Sequence, residues 1–192
     1  NHGRSKLMVE DLLKECEKKM HISIDHLRAD LAKLRTGQAS LAILEGINVD
    51  YYGNPTPLNQ VAALGIADGH TITIQPWDVS ILKDVEKAIQ SSDLGINPNN
   101  DGKIIRLTIP PLTSERRHQL VKVVKNHAEE CRVAIRNVRR EFNDKAKTTE
   151  KKHEISKDEV HKKLDQMQKI TDGQIAEVDR IAQAKEKDVL EV

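Results

Sequence analysis

Residues 13–34 carry the pattern that most limits what this chain can become. Leu13, Cys16, Met20, Ile24, Leu27, Leu31 and Leu34 recur at three- and four-residue steps. Wound at about 100° per residue, they fall within an arc of roughly 80°. A stripe that narrow marks the seam of a helical bundle or coiled coil, because a helix lying on a broad core would need a wider apolar face. Glu10→Lys14 and Glu15→Lys19 add favourable pairs four residues apart on the outside. The spacing predicts a helix from about Val9 to Arg35. It should stop at Thr36-Gly37, since glycine commonly ends helices.

A seam needs partners, and the C-terminal half supplies two. Thr113 reads as an N-cap, with Glu115 in the first turn where the helix dipole favours an acid. Leu120, Val124, Cys131, Ile135, Val138 and Phe142 then share one face of a helix reaching about Lys152. Ser156-Lys157-Asp158-Glu159 is a capping box. It opens a third helix with Val160, Leu164, Met167, Ile175, Val178 and Ala182 inside. Three such stripes bury one another most simply as a three-helix bundle.

Between the first two helices the period changes. Ile47, Val49 and Tyr51 alternate as in a half-buried strand. YYGNPTPL reads as a turn because of its two prolines and Gly53-Asn54. VAALGI, TITIQPW and KIIRLTI read as strands, residues 80–92 as a short helix, and LGINPNNDG as a loop. The fold class is therefore α+β, a long bundle over residues 8–36 and 113–192 with a small β-rich unit inserted at 37–112. The two connections would lie side by side and form a hinge: Thr36, Gly37 and Gln38 in one, Pro110, Pro111 and Leu112 in the other. The alternative is one merged globule.

Composition removes several function classes. The chain has 192 residues and a net charge of only +1, so attraction to nucleic acid must come from a local patch. Its aromatics are Tyr51, Tyr52, Trp77 and Phe142, too few for single-strand binding by base stacking. Cys16 and Cys131 form no close pair, which fits a reducing compartment better than a disulfide framework. No apolar run reaches membrane-spanning length. NHGRSKL lacks the apolar centre of a signal peptide. Met8 reads as the native start, with residues 1–7 a foreign leader outside the fold.

Enzyme motifs are missing. The eight histidines, His118, His127, His153 and His161 among them, show no metal-ligand spacing. Gly95–Lys103 imitates a phosphate loop, but Ile104 stands where Ser or Thr is required. Asn97-x-Asn99-x-Asp101-Gly102 imitates a calcium loop with one carboxylate, and Thr108 replaces the closing glutamate. Both are explained by turn-forming asparagine. No catalytic residue, metal or cofactor is expected.

The charge pattern is more informative. Between Arg116 and Arg140 there are eight Arg or Lys and two acids, Glu129 and Glu130. Lys122, Lys125, Arg132, Arg136, Arg139 and Arg140 fall within roughly 100° of the wheel, about 120° from the seam. They form either a solvated helix face or a rod that binds RNA phosphates by shape. Arginine favours the second reading, through its bidentate geometry.

LRTGQAS (34–40), VDYYGNPTPL (49–58), SSDLGINPNNDG (91–102), RLTIPPLTSERR (106–117) and VAIRNVRRE (133–141) resemble the signature segments of the ribosome recycling factor family. The match runs in one register over nearly the whole chain. It implies an L-shaped molecule: a three-helix bundle with an inserted β/α/β domain joined by a hinge. It also implies a non-enzymatic translation factor; a monomer is expected, and the lack of a transit-like leader favours the bacterial cytoplasm over an organelle matrix. Such factors bind the post-termination ribosome and split it with elongation factor G, which hydrolyses the GTP. The bundle would lie on large-subunit ribosomal RNA.

Arg136, Arg139 and Arg140 match the family's arginines, Arg139 at the position most important for RNA contact. Arg132 matches a basic position, and Arg35 the arginine before the hinge. Lys122 and Lys125 rest on the wheel alone. The sequence departs from the family at Gln38, where Arg is common, and at Phe142, where a small residue is usual. The competing class is a coiled-coil adaptor that binds protein helices through an exposed apolar seam, with little dependence on salt.

Overall fold

The computed structural model describes residues 2–152 and 154–191. Asn1, His153 and Val192, the second of them one of the histidines considered above, lie outside the described residues. The chain divides into two compact units, one of Asn1–Leu34 and His118–Glu191, the other of Arg35–Arg117.

The first unit is helical. It contains α1 (His2–Ala32), most of α3 (Ser114–Lys151) and α4 (Lys157–Leu190). The predicted seams meet in one core: Leu13, Cys16, Met20 and Ile24 from α1, Val124, Cys131, Ile135 and Phe142 from α3, Val160, Met167 and Val178 from α4. Leu34, Val138, Leu164 and Ile175 sit at its edge, partly buried. Phe142 is fully buried, so the aromatic ring occupies core volume. The predicted caps form. Thr113 Oγ1 accepts from Arg116 N at 3.1 Å, and Ser156 Oγ accepts from Glu159 N at 3.2 Å.

Two expectations for α1 are corrected. The helix starts at His2 rather than near Val9, and in this leading turn Ser5 is buried and Lys6 pairs with Glu159 at 3.2 Å. It ends at Ala32 rather than Arg35: Leu34 N donates to Leu31 O at 3.1 Å, a tightened last turn, and Arg35 already belongs to the second unit, where its guanidinium bonds to backbone carbonyls.

That second unit contains a hairpin of β1 (Asn48–Tyr51) and β2 (Asn54–Pro57), strands β3 (Ala62–Asp68) and β4 (Thr71–Pro76), helix α2 (Leu82–Gln90), β5 (Asn99–Asn100) and β6 (Ile105–Thr108). The last four strands form an antiparallel sheet in the order β3-β4-β6-β5. Ile72 faces Leu107 and Ile74 faces Ile105 across it; all four are fully buried beside Val85 and Ile89 of α2.

The proline-rich segment is a strand, not a turn. Pro57 is opposite Asn48 and Pro55 opposite Asp50. Two residues apart, the prolines share one edge of a strand that, among the described residues, pairs only with β1. Their missing N–H groups face outward, where no ladder bond is needed. The turn itself is Tyr52-Gly53, with φ of 50° and 86°. Positive φ at both positions is the geometry that matches the twist of a two-residue hairpin. The predicted 91–102 loop also contributes β5, two residues that pair with Asn100↔Ile105 and Asn99↔Arg106.

Candidate nucleic-acid interface

The cationic band lies on α3, a helix of 38 residues and so about 57 Å long. The structure separates its members by exposure. Lys122, Lys125 and Arg140 are exposed, while Arg132, Arg136 and Arg139 are half-buried. Arg139 and Arg132 occupy the edge of the band nearest the apolar seam, so α4 covers part of each. The expectation that all six cations face open solvent is thus corrected for these.

Arg132 is the most engaged. Its Nε donates to Asp179 Oδ1 at 2.9 Å and its Nη2 lies 2.7 Å from the same oxygen, tying α3 to α4. Its Nη1 donates to Glu129 Oε2 at 2.9 Å. Burial opposes the charge on this guanidinium, but the two carboxylates outweigh it and hold its pKa above the ordinary value. Glu129 uses its other oxygen on Arg136, at 3.7 Å. Arg139 Nη1 donates to Gln168 Oε1 at 3.5 Å, and Gln168 in turn donates to Asp172 at 2.9 Å. Arg140 bonds to the Asn137 amide oxygen at 3.4 Å. Among the described residues, neither Arg139, Arg140, Lys122 nor Lys125 has a carboxylate partner.

Asp179 and Gln168 were not found from the sequence. Both belong to α4, and neither sits in a motif; what brings them to the band is helix packing. A shallow groove of about 480 Å³ follows this boundary, lined by Lys125, Asn126, Glu129, Arg132, Asp179 and Glu186 among others.

Arg35 belongs to the second unit. Its Nη1 donates to Leu94 O at 2.9 Å and its Nη2 to Asp93 O at 3.0 Å. Those carbonyls follow the C-terminus of α2, where a cation is favoured by the helix dipole. The guanidinium therefore has an internal task.

The two connecting segments converge within this unit. Gly37 has φ of 79°, and a β-carbon there would meet Leu112 Cγ at 3.2 Å and Leu112 N at 3.3 Å. The β3–β4 turn holds both segments. His70 Nδ1 donates to Gly37 O at 3.0 Å, Ala39 N donates to Gly69 O at 2.8 Å, and Ile109 N donates to His70 O at 2.7 Å. The calcium-like stretch is a plain loop. Asp101 accepts N–H bonds from Ile104 and Lys103 and a bond from Arg106, which together hold its carboxyl at a pKa of about 2.

Known proteins are similar to this chain in sequence and in fold. The family model described as ribosome recycling factor matches residues 27–190. The ribosome-recycling factor of Syntrophomonas wolfei subsp. wolfei is 53% identical over 185 residues, covering 96% of this chain and 100% of that protein. That of Geobacillus sp. (strain WCH70) is 48% identical over the same coverage. A solution structure of the ribosome recycling factor gives a TM-score of 0.75 at 40% identity, over 96% of this chain and 98% of that one. A second solved structure contains models for the T. thermophilus ribosome recycling factor and the E. coli elongation factor G bound to the E. coli post-termination complex. Its matching chain gives a TM-score of 0.64 at 46% identity, over 95% of this chain and 99% of that one.

Proposed function

The chain belongs to the ribosome recycling factor family, and on that premise we propose that it binds the post-termination ribosome and, with elongation factor G and GTP, separates the subunits. The α3 band contacts phosphates of large-subunit ribosomal RNA. The observation that carries this reading is the state of Arg139 and Arg140. Both match the family's arginines, both stand on one long helix, and both are held by neutral amides rather than by carboxylates. Their charge remains available to an anion, and Gln168 limits the rotamers that Arg139 must give up on binding.

The chain itself does no chemistry. Elongation factor G hydrolyses GTP and drives the bundle as a wedge between the subunits. Thr36, Gly37, Gln38, Pro110, Pro111 and Leu112 form the hinge that lets the inserted unit respond. The factor works as a cytoplasmic monomer. No helix among the described residues is long and apolar enough to cross a membrane.

The test is subunit splitting by light scattering, with elongation factor G and GTP, together with ribosome co-sedimentation at two salt concentrations. Affinity should fall steeply with salt, as phosphate contacts require. Arg139→Ala should weaken binding by about tenfold or more, the worth of one charge-assisted hydrogen bond, and should abolish splitting at limiting factor. Normal binding by that variant, or binding indifferent to salt, would remove RNA contact from the account and favour the adaptor reading.

A further inference from the structure

Glu129 stands inside the cationic band rather than beside it. On the α3 wheel it falls between Arg136 and Arg140, whereas the neighbouring acid Glu130 points roughly 100° away. Its two oxygens take different arginines: Oε2 accepts from Arg132 Nη1 at 2.9 Å, and Oε1 lies 3.7 Å from Arg136 Nη1. A carboxylate bridging two guanidiniums occupies the place a phosphate would take, since both anions offer oxygens to the same planar donors. Arg132 has a second anchor in Asp179, so it stays in position when Glu129 leaves. Arg136 has no other acid among the described residues, and its side chain is 39% exposed.

We propose that Glu129 is an internal competitor for the RNA phosphate: it fills the Arg132–Arg136 fork in the free protein and yields it on binding. The proposal rests on the RNA-binding reading above and sharpens it by naming the residue that limits affinity. Glu129 is 57% exposed, so its pairs are solvated and readily exchanged. Every binding event must break them and move a negative side chain away from the incoming phosphate.

The experiment compares Glu129→Gln with Glu130→Gln in equilibrium binding to vacant 70S ribosomes. Both substitutions raise the net charge equally, and they differ only in place. Glu129→Gln should bind about three- to tenfold tighter at low salt, the combined effect of losing two exposed competing pairs. Glu130→Gln should stay within about twofold of the parent. Arg136→Ala should then lose more affinity in the Glu129→Gln background than in the parent, because the parent Arg136 is already partly neutralised. Helical circular dichroism checks that each variant is folded. No gain from Glu129→Gln, an equal gain from Glu130→Gln, or no coupling to Arg136 would each overturn the proposal. The Arg139→Ala arm separates the two layers. If Arg139→Ala loses binding while Glu129→Gln gains none, only the competitor is refuted; if Arg139→Ala binds normally, the RNA reading itself has failed.

Discussion

Gly37→Ala is predicted to destabilise the unit of Arg35–Arg117 by about 1.5–2.5 kcal/mol, the balance of three contributions. Gly37 is buried at φ of 79°, a left-handed conformation that costs an alanine about 1–2 kcal/mol. The new methyl would also stand 3.2 Å from Leu112 Cγ and 3.3 Å from Leu112 N. The side chain can rotate, but the backbone nitrogen cannot without moving the second connecting segment, so about 1 kcal/mol of overpacking is added. Against this, alanine restricts the unfolded chain and returns about 0.5 kcal/mol. Gly46→Ala is the control. Gly46 has nearly the same φ, 82°, with nothing within 4 Å of a β-carbon. It isolates the dihedral cost, expected at about 1 kcal/mol. Urea unfolding followed by the fluorescence of Trp77, the chain's one tryptophan, reports on this unit. A cost for Gly37→Ala no greater than that for Gly46→Ala would refute the packing contribution of Leu112. If the proposed hinge is real, Gly37→Ala should also slow subunit splitting while leaving ribosome binding near normal.

Three further outcomes follow from the same geometry. Phe142→Ala, at a fully buried site, should lower the stability of the helical unit by about 3–5 kcal/mol in denaturant unfolding followed by circular dichroism. Glu177 accepts hydrogen bonds from Arg180 and, across helices, from Arg28, and these pull its pKa from 4.5 to about 2. Its folded value lies below its unfolded one, so its contribution is complete above about pH 4.5 and drains away as pH falls toward 2. Glu177→Gln should therefore flatten the acid limb of the stability profile in that window. Burial raises the thiol pKa of both Cys16 and Cys131. Neither should react with a thiol-specific reagent at pH 8 in the native state, and both should react once urea has unfolded the protein.

The helical seams were legible because burial repeats with the helix itself. The six seam positions of α1 from Leu13 to Leu31 lie on one arc and are all buried to within a few per cent, and Leu34, just past the helix end, is partly buried. Capping was legible for a related reason: Thr113 and Ser156 each act on a residue three positions away, within the reach of a local motif. What escaped was non-local. Proline in YYGNPTPL looked incompatible with a strand until the pairing showed which edge it occupies. The wheel placed Arg132 correctly on α3 but could not foresee that Asp179, on another helix, would claim it. Arg35 escaped similarly, because a carbonyl acceptor such as Leu94 O leaves no mark in the sequence. Charge density is thus readable from sequence, whereas which charges remain available depends on packing.

The convergence of the two connecting segments on the Gly69-His70 turn also bears on how the chain folds. As α1 leaves the ribosome that synthesises it, its apolar seam has no partner until α3 and α4 have been made. Joining α1 to α3 across a floppy intervening segment of roughly eighty residues would cost about 4 kcal/mol of loop-closure entropy. An inserted unit that folds first, with its entry at Ala39 and its exit at Ile109 bonded to adjacent residues of one turn, replaces that long loop by a short rigid one. An insertion that folded first would shorten the closure the helices must make, and pulse-labelled hydrogen exchange during refolding tests this: amides of β3, β4 and β6 should gain protection before those of the α1 seam.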